Sequence, residues 1–194
     1  QIEYVPAIPN KLSAASQLGF GNVVKILLRF DHRWWVGIRE KQFEHLFFMF
    51  SKEIIPTWWT QYPEPRSILT GWVAGPGAHL LRLKTESELI SLALESLANI
   101  FTVDLARLRE MLVHGRAFVW ENDAHTRGGY SYPTPESDEA IEELIAPEAD
   151  KLYFAGEALC DGPCATVEGA LQTGRNAAQR MMSLTATEGG VESI

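Results

Sequence analysis

LYFAGEALCDGPCATVEGALQTGRNAAQRMM, residues 152–182, decides how the rest of the chain is read. Leu152–Ala155 is a short apolar and aromatic run that stops at Gly156, which predicts a buried strand ending where its backbone meets something. Glu157 follows directly. From Thr166, a residue type favoured at helix N-caps, small and apolar residues recur at Val167, Ala170, Leu171, Gly174, Ala177, Ala178, Met181 and Met182. That three-and-four spacing predicts one face of a helix. The first N–H groups of a helix lack intrahelical partners and the positive end of its dipole lies there. A helix starting at Thr166 and Val167 therefore suits an electron-rich group on a ligand. Gly156, Gly169 and Gly174 let a backbone or a ligand come close.

Upstream, Ile2–Val5 reads as a strand entering a proline-bearing link at Pro6 and Pro9, and Lys11–Leu18 as a short helix closed by Gly19. Asn22–Phe30, NVVKILLRF, is the clearest strand. Val24, Ile26, Leu28 and Phe30 fall on one face, and Lys25 stands inside an otherwise apolar run. Strands are expected at Leu46–Ser51, Thr57–Tyr62 and Ile68–Gly75, with short connections that favour an antiparallel or mixed sheet. Thr85 and Glu88 are spaced as a capping box before a helix with Leu89, Ala93, Leu97 and Ile100 on its apolar stripe. Asp104 caps a second helix reaching Leu112, and both helices are expected to cover one sheet face. Val119–Trp120 and the run from Gly128 to Pro133 read as extended and turn segments. Glu136–Leu144 reads as a short acidic helix and Ser183–Ile194 as a frayed tail.

The 25 acidic and 17 basic residues leave a net charge of −8, which provides no footprint for nucleic acid or an anionic membrane surface. No apolar run approaches the ~20 residues of a membrane-spanning helix. Cys160 and Cys164 make neither a disulfide framework nor a zinc site; they read as loop thiols, with a local disulfide or redox pair as the alternatives. The five histidines show no metal-ligand spacing, so no metal is expected.

FAGE, a loop of about eight residues, and then TVEGAL-x-[ST]-G-x-x-AA resemble the C-terminal FAD-binding segment of the flavin-containing amine oxidase family. EYVPAIPNKLSAASQLGFGNVVKILLRF, ILTGWVAGPGAHLL and the spacing of Trp120 to the GGYSY segment extend the resemblance over nearly the whole chain. It implies that Lys25 is the lysine held through a water to flavin N5, and that Trp120 packs near the isoalloxazine. Tyr130 would be one wall of an aromatic cage, and Glu157 would hydrogen-bond the ribityl or phosphate region. Gly156 belongs to the same turn, and Thr166 with Val167 would face the flavin pyrimidine edge. By pattern alone each has a plainer reading: a strand lysine at a sheet edge, aromatic residues in a core, an acid in a turn. Two departures count. Gly129 stands where monoamine oxidases carry the cysteine bonded to flavin, which implies non-covalent FAD. Thr166 stands where their second aromatic wall is, which implies that small arylalkylamines are not the preferred substrates.

The expected fold is α/β of the α+β type, a mixed, largely antiparallel substrate-domain sheet with helices, followed by the C-terminal strand-helix segment of an FAD-binding domain. The divisions expected are 1–145 for substrate binding, 146–183 for the cofactor segment and 184–194 for a tail. Neither Gly19-Phe-Gly21 nor Gly75-Pro-Gly77 completes a G-x-G-x-x-G fingerprint, and the chain opens at Gln1. The N-terminal nucleotide-binding half is therefore expected to lie outside it. Expected partners are an amine, oxygen, that missing half and a second copy of the chain; the expected location is cytoplasmic. The rival readings are a non-catalytic interaction module of this fold and a related flavoenzyme of the carotenoid desaturase or protoporphyrinogen oxidase kind.

Overall fold

The computed structural model describes residues 2–38, 42–160 and 164–188. In chain order its elements are α1 (Pro9–Gln17), β1 (Gly19–Gly21), β2 (Val23–Phe30), β3 (Phe48–Phe50), β4 (Thr57–Trp59), β5 (Ile68–Ala74) and α2 (Gly75–Leu81). There follow α3 (Glu86–Phe101), α4 (Leu105–Met111), β6 (Leu112–Val119), β7 (Tyr130–Tyr132), α5 (Ser137–Ile145) and α6 (Val167–Glu188). They form two compact units, one from residues 22–129 and the other from the described parts of 1–21 and 130–194. This division by compactness is drawn differently from the functional one at 145/146.

The unit of residues 22–129 is a five-stranded antiparallel sheet in the order β3-β4-β5-β2-β6, as the consecutive strands and short connections predict. β2 is central, and its alternation sets the inside of the sheet: Val24, Ile26, Leu28 and Phe30 are at most 2% exposed. Phe30, Trp34, Trp35 and Phe101 meet edge to face with ring centroids 5.0–6.4 Å apart. α3 lays Leu89, Ala93 and Leu97 on this core, and α4 adds Leu108. The capping box forms, with the Glu88 N–H donating to Thr85 Oγ1 at 3.3 Å and the Thr85 N–H donating to the Glu88 carboxylate at 2.8 Å. Asp104 caps α4 by accepting the Arg107 N–H at 3.0 Å. Gly75 takes φ +60°, the left-handed turn that lets β5 swing into α2.

β6 and β1 escape the sequence pattern. β6 runs for eight residues where only Val119–Trp120 was expected to be extended. Its inward positions, Gly115, Ala117 and Val119, are small because Ile90 of α3 packs there, at 2.9 Å from where a Gly115 Cβ would stand. Small residues inside and His114, Arg116 and Phe118 outside give little hydrophobic period to read. β1 and β7 are three-residue strands that pair only with each other.

The second unit packs α1 on α5 through Ala14, Ala140 and Leu144, with Leu159 beneath. Lys11, only 3% exposed, donates to the Glu143 and Ala146 carbonyls and pairs with the Glu143 carboxylate at 3.0 Å, so the buried charge is satisfied. α6 begins after Thr166, as its spacing predicts, and continues through Glu188, past the expected start of a frayed tail. Residues 189–194 of that tail lie outside the described residues. Two expected strands are corrected. Ile2–Val5 forms none, because no described strand lies beside it to complete a ladder. Leu152–Ala155 makes a single antiparallel bridge, Leu152 with Glu148, and is half-buried at most. An apolar run becomes a strand only where a neighbouring edge accepts its backbone groups, and the β1–β7 pair does not.

Gly71 lies under the Trp58 indole, which donates to the Ile55 carbonyl at 2.9 Å and is fully buried. A Cβ on Gly71 would stand 2.9 Å from both Trp58 and Ile55. Gly71→Ala is expected to destabilise the sheet by about 1–3 kcal/mol through overpacking. A thermal midpoint equal to that of the unsubstituted protein would show that Trp58 shifts without cost.

Candidate active site

β2 is paired on both edges, so each of its side chains is committed to one sheet face. Lys25 stands on the face opposite the core, between Trp72 of β5 and Phe118 of β6. Its Nζ lies 5.8 Å from the centroid of the Trp59 ring, within cation–π range. No carboxylate pairs with it among the described residues. Lys25 is half-buried in a central strand, so the sheet-edge reading of this lysine fails. Trp120 is also half-buried and stacks on Phe118 at 6.2 Å and 23°. Lys25, Phe118 and Trp120 thus share one stretch of the open face. Trp59, Trp72 and Phe118 were not singled out by sequence, although their outward parity in expected or neighbouring strands carries the signal.

Tyr130, Gly156, Glu157, Thr166 and Val167 belong to the other unit. There Glu157 uses both carboxylate oxygens: Oε1 accepts the Ser131 N–H at 3.0 Å and Oε2 the Ser131 hydroxyl at 2.6 Å. This fastens β7, and with it Tyr130, to the turn after Gly156. Partial burial pushes the Tyr130 phenol above its ordinary value. The Gly156 N–H donates to Thr173 Oγ1 at 3.0 Å, and that hydroxyl lies 3.0 Å from both the Gly156 and the Ala170 carbonyl oxygens. Thr173 is therefore the pin between the turn and α6, and Ser131 the pin between the turn and β7. Both lie inside quoted motifs, but a single hydroxyl has no periodic signature of its own.

Thr166 caps α6, with Oγ1 accepting the Gly169 N–H at 3.0 Å. Val167 is 80% exposed, so the helix start is open. The turn at Gly156 is open too: a Cβ there would meet nothing within 4 Å. An open helix start, an uncrowded glycine turn and a carboxylate held in place fit one side of a large polar cofactor. Cys160 and Cys164 are free thiols, Cys164 Sγ lying 2.9 Å from the Cys160 carbonyl oxygen. Burial, with contributions from Cys164 and Glu157, pushes the Cys160 thiol up to about 11, which disfavours its thiolate. Among the described residues no group of side chains is arranged to hold a metal, and no helix is long and apolar enough to cross a membrane.

A family model described as flavin-containing amine oxidoreductase matches residues 1–182. A histone demethylase-like protein A of Aspergillus fumigatus is 28% identical over 195 residues, covering 93% of this chain and 18% of that protein. A lysine-specific histone demethylase 1 homolog 1 of Oryza sativa subsp. japonica is 30% identical over 184 residues, covering 89% and 21%. The peroxisomal N(1)-acetyl-spermine/spermidine oxidase of Bos taurus is 24% identical over 208 residues, covering 93% and 39%. The chain spans well under half the length of each.

Thr173→Val keeps the shape and removes the hydroxyl. The half-buried Gly156 amide then loses its partner, an effect on the order of 1 kcal/mol for one hydrogen bond. Hydrogen exchange at Gly156 is expected to quicken by up to about tenfold, with exchange in β2 unchanged. An unchanged Gly156 rate would remove Thr173 from this role.

Proposed function

This chain belongs to the flavin-containing amine oxidoreductase family, and from that membership we propose that it is the substrate-binding part and C-terminal cofactor segment of an FAD-dependent amine oxidase. The observation that carries the reading is the family match over residues 1–182, joined to a lysine aimed off the open face of the central strand beside Trp59. This reading puts the nucleotide-binding half outside these residues, in keeping with the incomplete glycine fingerprints at Gly19-Phe-Gly21 and Gly75-Pro-Gly77. A cytoplasmic location is part of the same reading.

The chemistry that bound FAD supplies is the two-electron oxidation of a neutral amine to an imine by hydride transfer to N5, with oxygen then reduced to hydrogen peroxide. Water hydrolyses the imine to an aldehyde or ketone and releases its nitrogen as ammonia or the remaining amine. With FAD bound, Lys25 would order a water and hold positive charge toward the flavin, its ammonium oriented by the Trp59 face. Trp120 would supply an aromatic surface for the flavin. Tyr130, anchored through Ser131, presents an aromatic wall that aligns the amine. Glu157 has spent one lone pair of each oxygen on Ser131 and keeps acceptor capacity for a ribityl hydroxyl, a better partner for a carboxylate than a phosphate would be. Gly156 would give the cofactor room, and the α6 start at Thr166 and Val167 would offer the positive end of its dipole to an electron-rich group.

Gly129 at the attachment position implies that the flavin is held without a covalent bond. Acid precipitation of the intact holoprotein is expected to leave the yellow colour in the supernatant; colour in the pellet would refute non-covalent binding. Lys25→Met retains the apolar stem and removes the charge. In the intact protein it is expected to slow flavin reduction or reoxidation by about 10²-fold, the range of a positioned proton-transfer group. Rapid-mixing rates within twofold of the unsubstituted enzyme for both half-reactions would make Lys25 a packing residue. An intact protein that purifies colourless and takes up no FAD would favour the interaction-module reading.

A further inference from the structure

A pocket of about 460 Å³ opens on the same sheet face, lined by Leu27, Arg29, Ile68, His114, Arg116 and Phe118. Strand register builds it. Arg29 stands opposite His114 and Ile68, and Leu27 opposite Arg116, while Phe118 is the cross-strand neighbour of Lys25. The floor and one wall are apolar and the rim is cationic.

Arg29 has no carboxylate partner among the described residues. Arg116 gives its Nε to Glu86 Oε1 at 3.1 Å and sets its guanidinium carbon 5.9 Å from the Phe118 ring, which leaves its terminal nitrogens for another acceptor. Glu86 lies at the start of α3, and the outward positions of all five strands include no acidic residue. This local excess of cations stands out in a chain whose net charge is −8. Two guanidinium forks over apolar walls are suited to a planar or tetrahedral anion on an apolar body.

We propose that this pocket holds the anionic end of the substrate, so that the amine oxidised is a small molecule carrying a carboxylate or phosphate remote from its nitrogen. The proposal rests on the amine-oxidase reading, in which Lys25 marks the reacting end. Arg29 is four residues along β2 from Lys25, and Arg116 is paired two residues along. At ~3.3 Å per residue, the anion and the amine are separated by roughly 7–13 Å. A polycation such as spermine would meet Lys25, Arg29 and Arg116 as like charges. The face selects against it as well as for an anion.

The test is calorimetric binding to the intact protein at low ionic strength, with four probes that share a phenylbutyl body. These are 4-phenylbutyrate, 4-phenylbutyl phosphate, 4-phenylbutanamide and trimethyl(4-phenylbutyl)ammonium. At least one anion is expected to bind tenfold or more tighter than the amide and the cation, with an advantage that shrinks as salt is raised. The tighter of the two anions identifies the head group. The R29Q/R116Q protein is expected to lose the preference while keeping its circular dichroism. If that pair does not fold, Arg29→Gln alone is expected to weaken anion binding by about tenfold, and Arg29→Lys to restore part of it. Equal affinity for all four probes, tighter binding of the cation, or an anion preference that survives in the folded variants would overturn the proposal. Flavin absorbance and its bleaching by amines are recorded on the same samples. Their absence would count against the amine-oxidase reading, whereas the anion preference is read from the heats alone.

Discussion

Pairing of β2 along both of its edges is the constraint on which the sheet unit depends. A central strand cannot slip by one residue without moving every side chain to the other face, and here one face is sealed by α3 and α4. Burial of Val24, Ile26, Leu28 and Phe30 therefore dictates where Lys25, Leu27 and Arg29 go. The cationic and aromatic character of the open face follows from the packing of the closed one. Trp58 under its neighbours and Trp59 beside Lys25 show the same division within two consecutive residues.

The other unit is held more by hydrogen bonds than by a large core. Its buried cluster is small, and the positions proposed to meet the cofactor are fixed by Glu157 to Ser131 and by Thr173 to Gly156. Each uses a polar side chain to tie irregular backbone to a regular element, which is how a turn stays rigid without a ladder. Lys11 does the same between α1 and α5. One stripe of α6 is spent on these contacts, while Val167, Leu171, Met181 and Met182 remain 49–80% exposed. A helix with that much uncovered apolar surface is suited to further packing.

The chain shares the backbone plan of the amine oxidoreductase family, and its own side chains would modify the proposed reaction. In that proposal Gly129 would provide no thiol for a flavin and Thr166 no second aromatic wall, while the open sheet face carries Lys25, Arg29 and Arg116 and its strands no acidic residue. These features belong to side chains on a shared backbone plan, so family membership alone does not decide them.

Much of this was legible in the residues themselves. Strict alternation announced β2 and the identity of its inward face; the Thr85–Glu88 spacing and Asp104 announced two helix starts; and the Thr166 spacing announced α6. Each is a local rule, satisfied by neighbours a few residues apart. The strand expected at Leu152–Ala155 failed, and β6 went unread, because strand formation is a property of pairs: an apolar run without an edge to join remains extended coil, and a run of small and polar residues becomes a strand between suitable neighbours. The roles of Thr173 and Ser131 were also beyond sequence, since a hydroxyl declares its function only when the fold supplies its partner. The sequence by itself determined the periodicities, the caps and the family. Only the tertiary structure decided which edges meet and which charges face one another, because those depend on contacts between residues far apart in the chain.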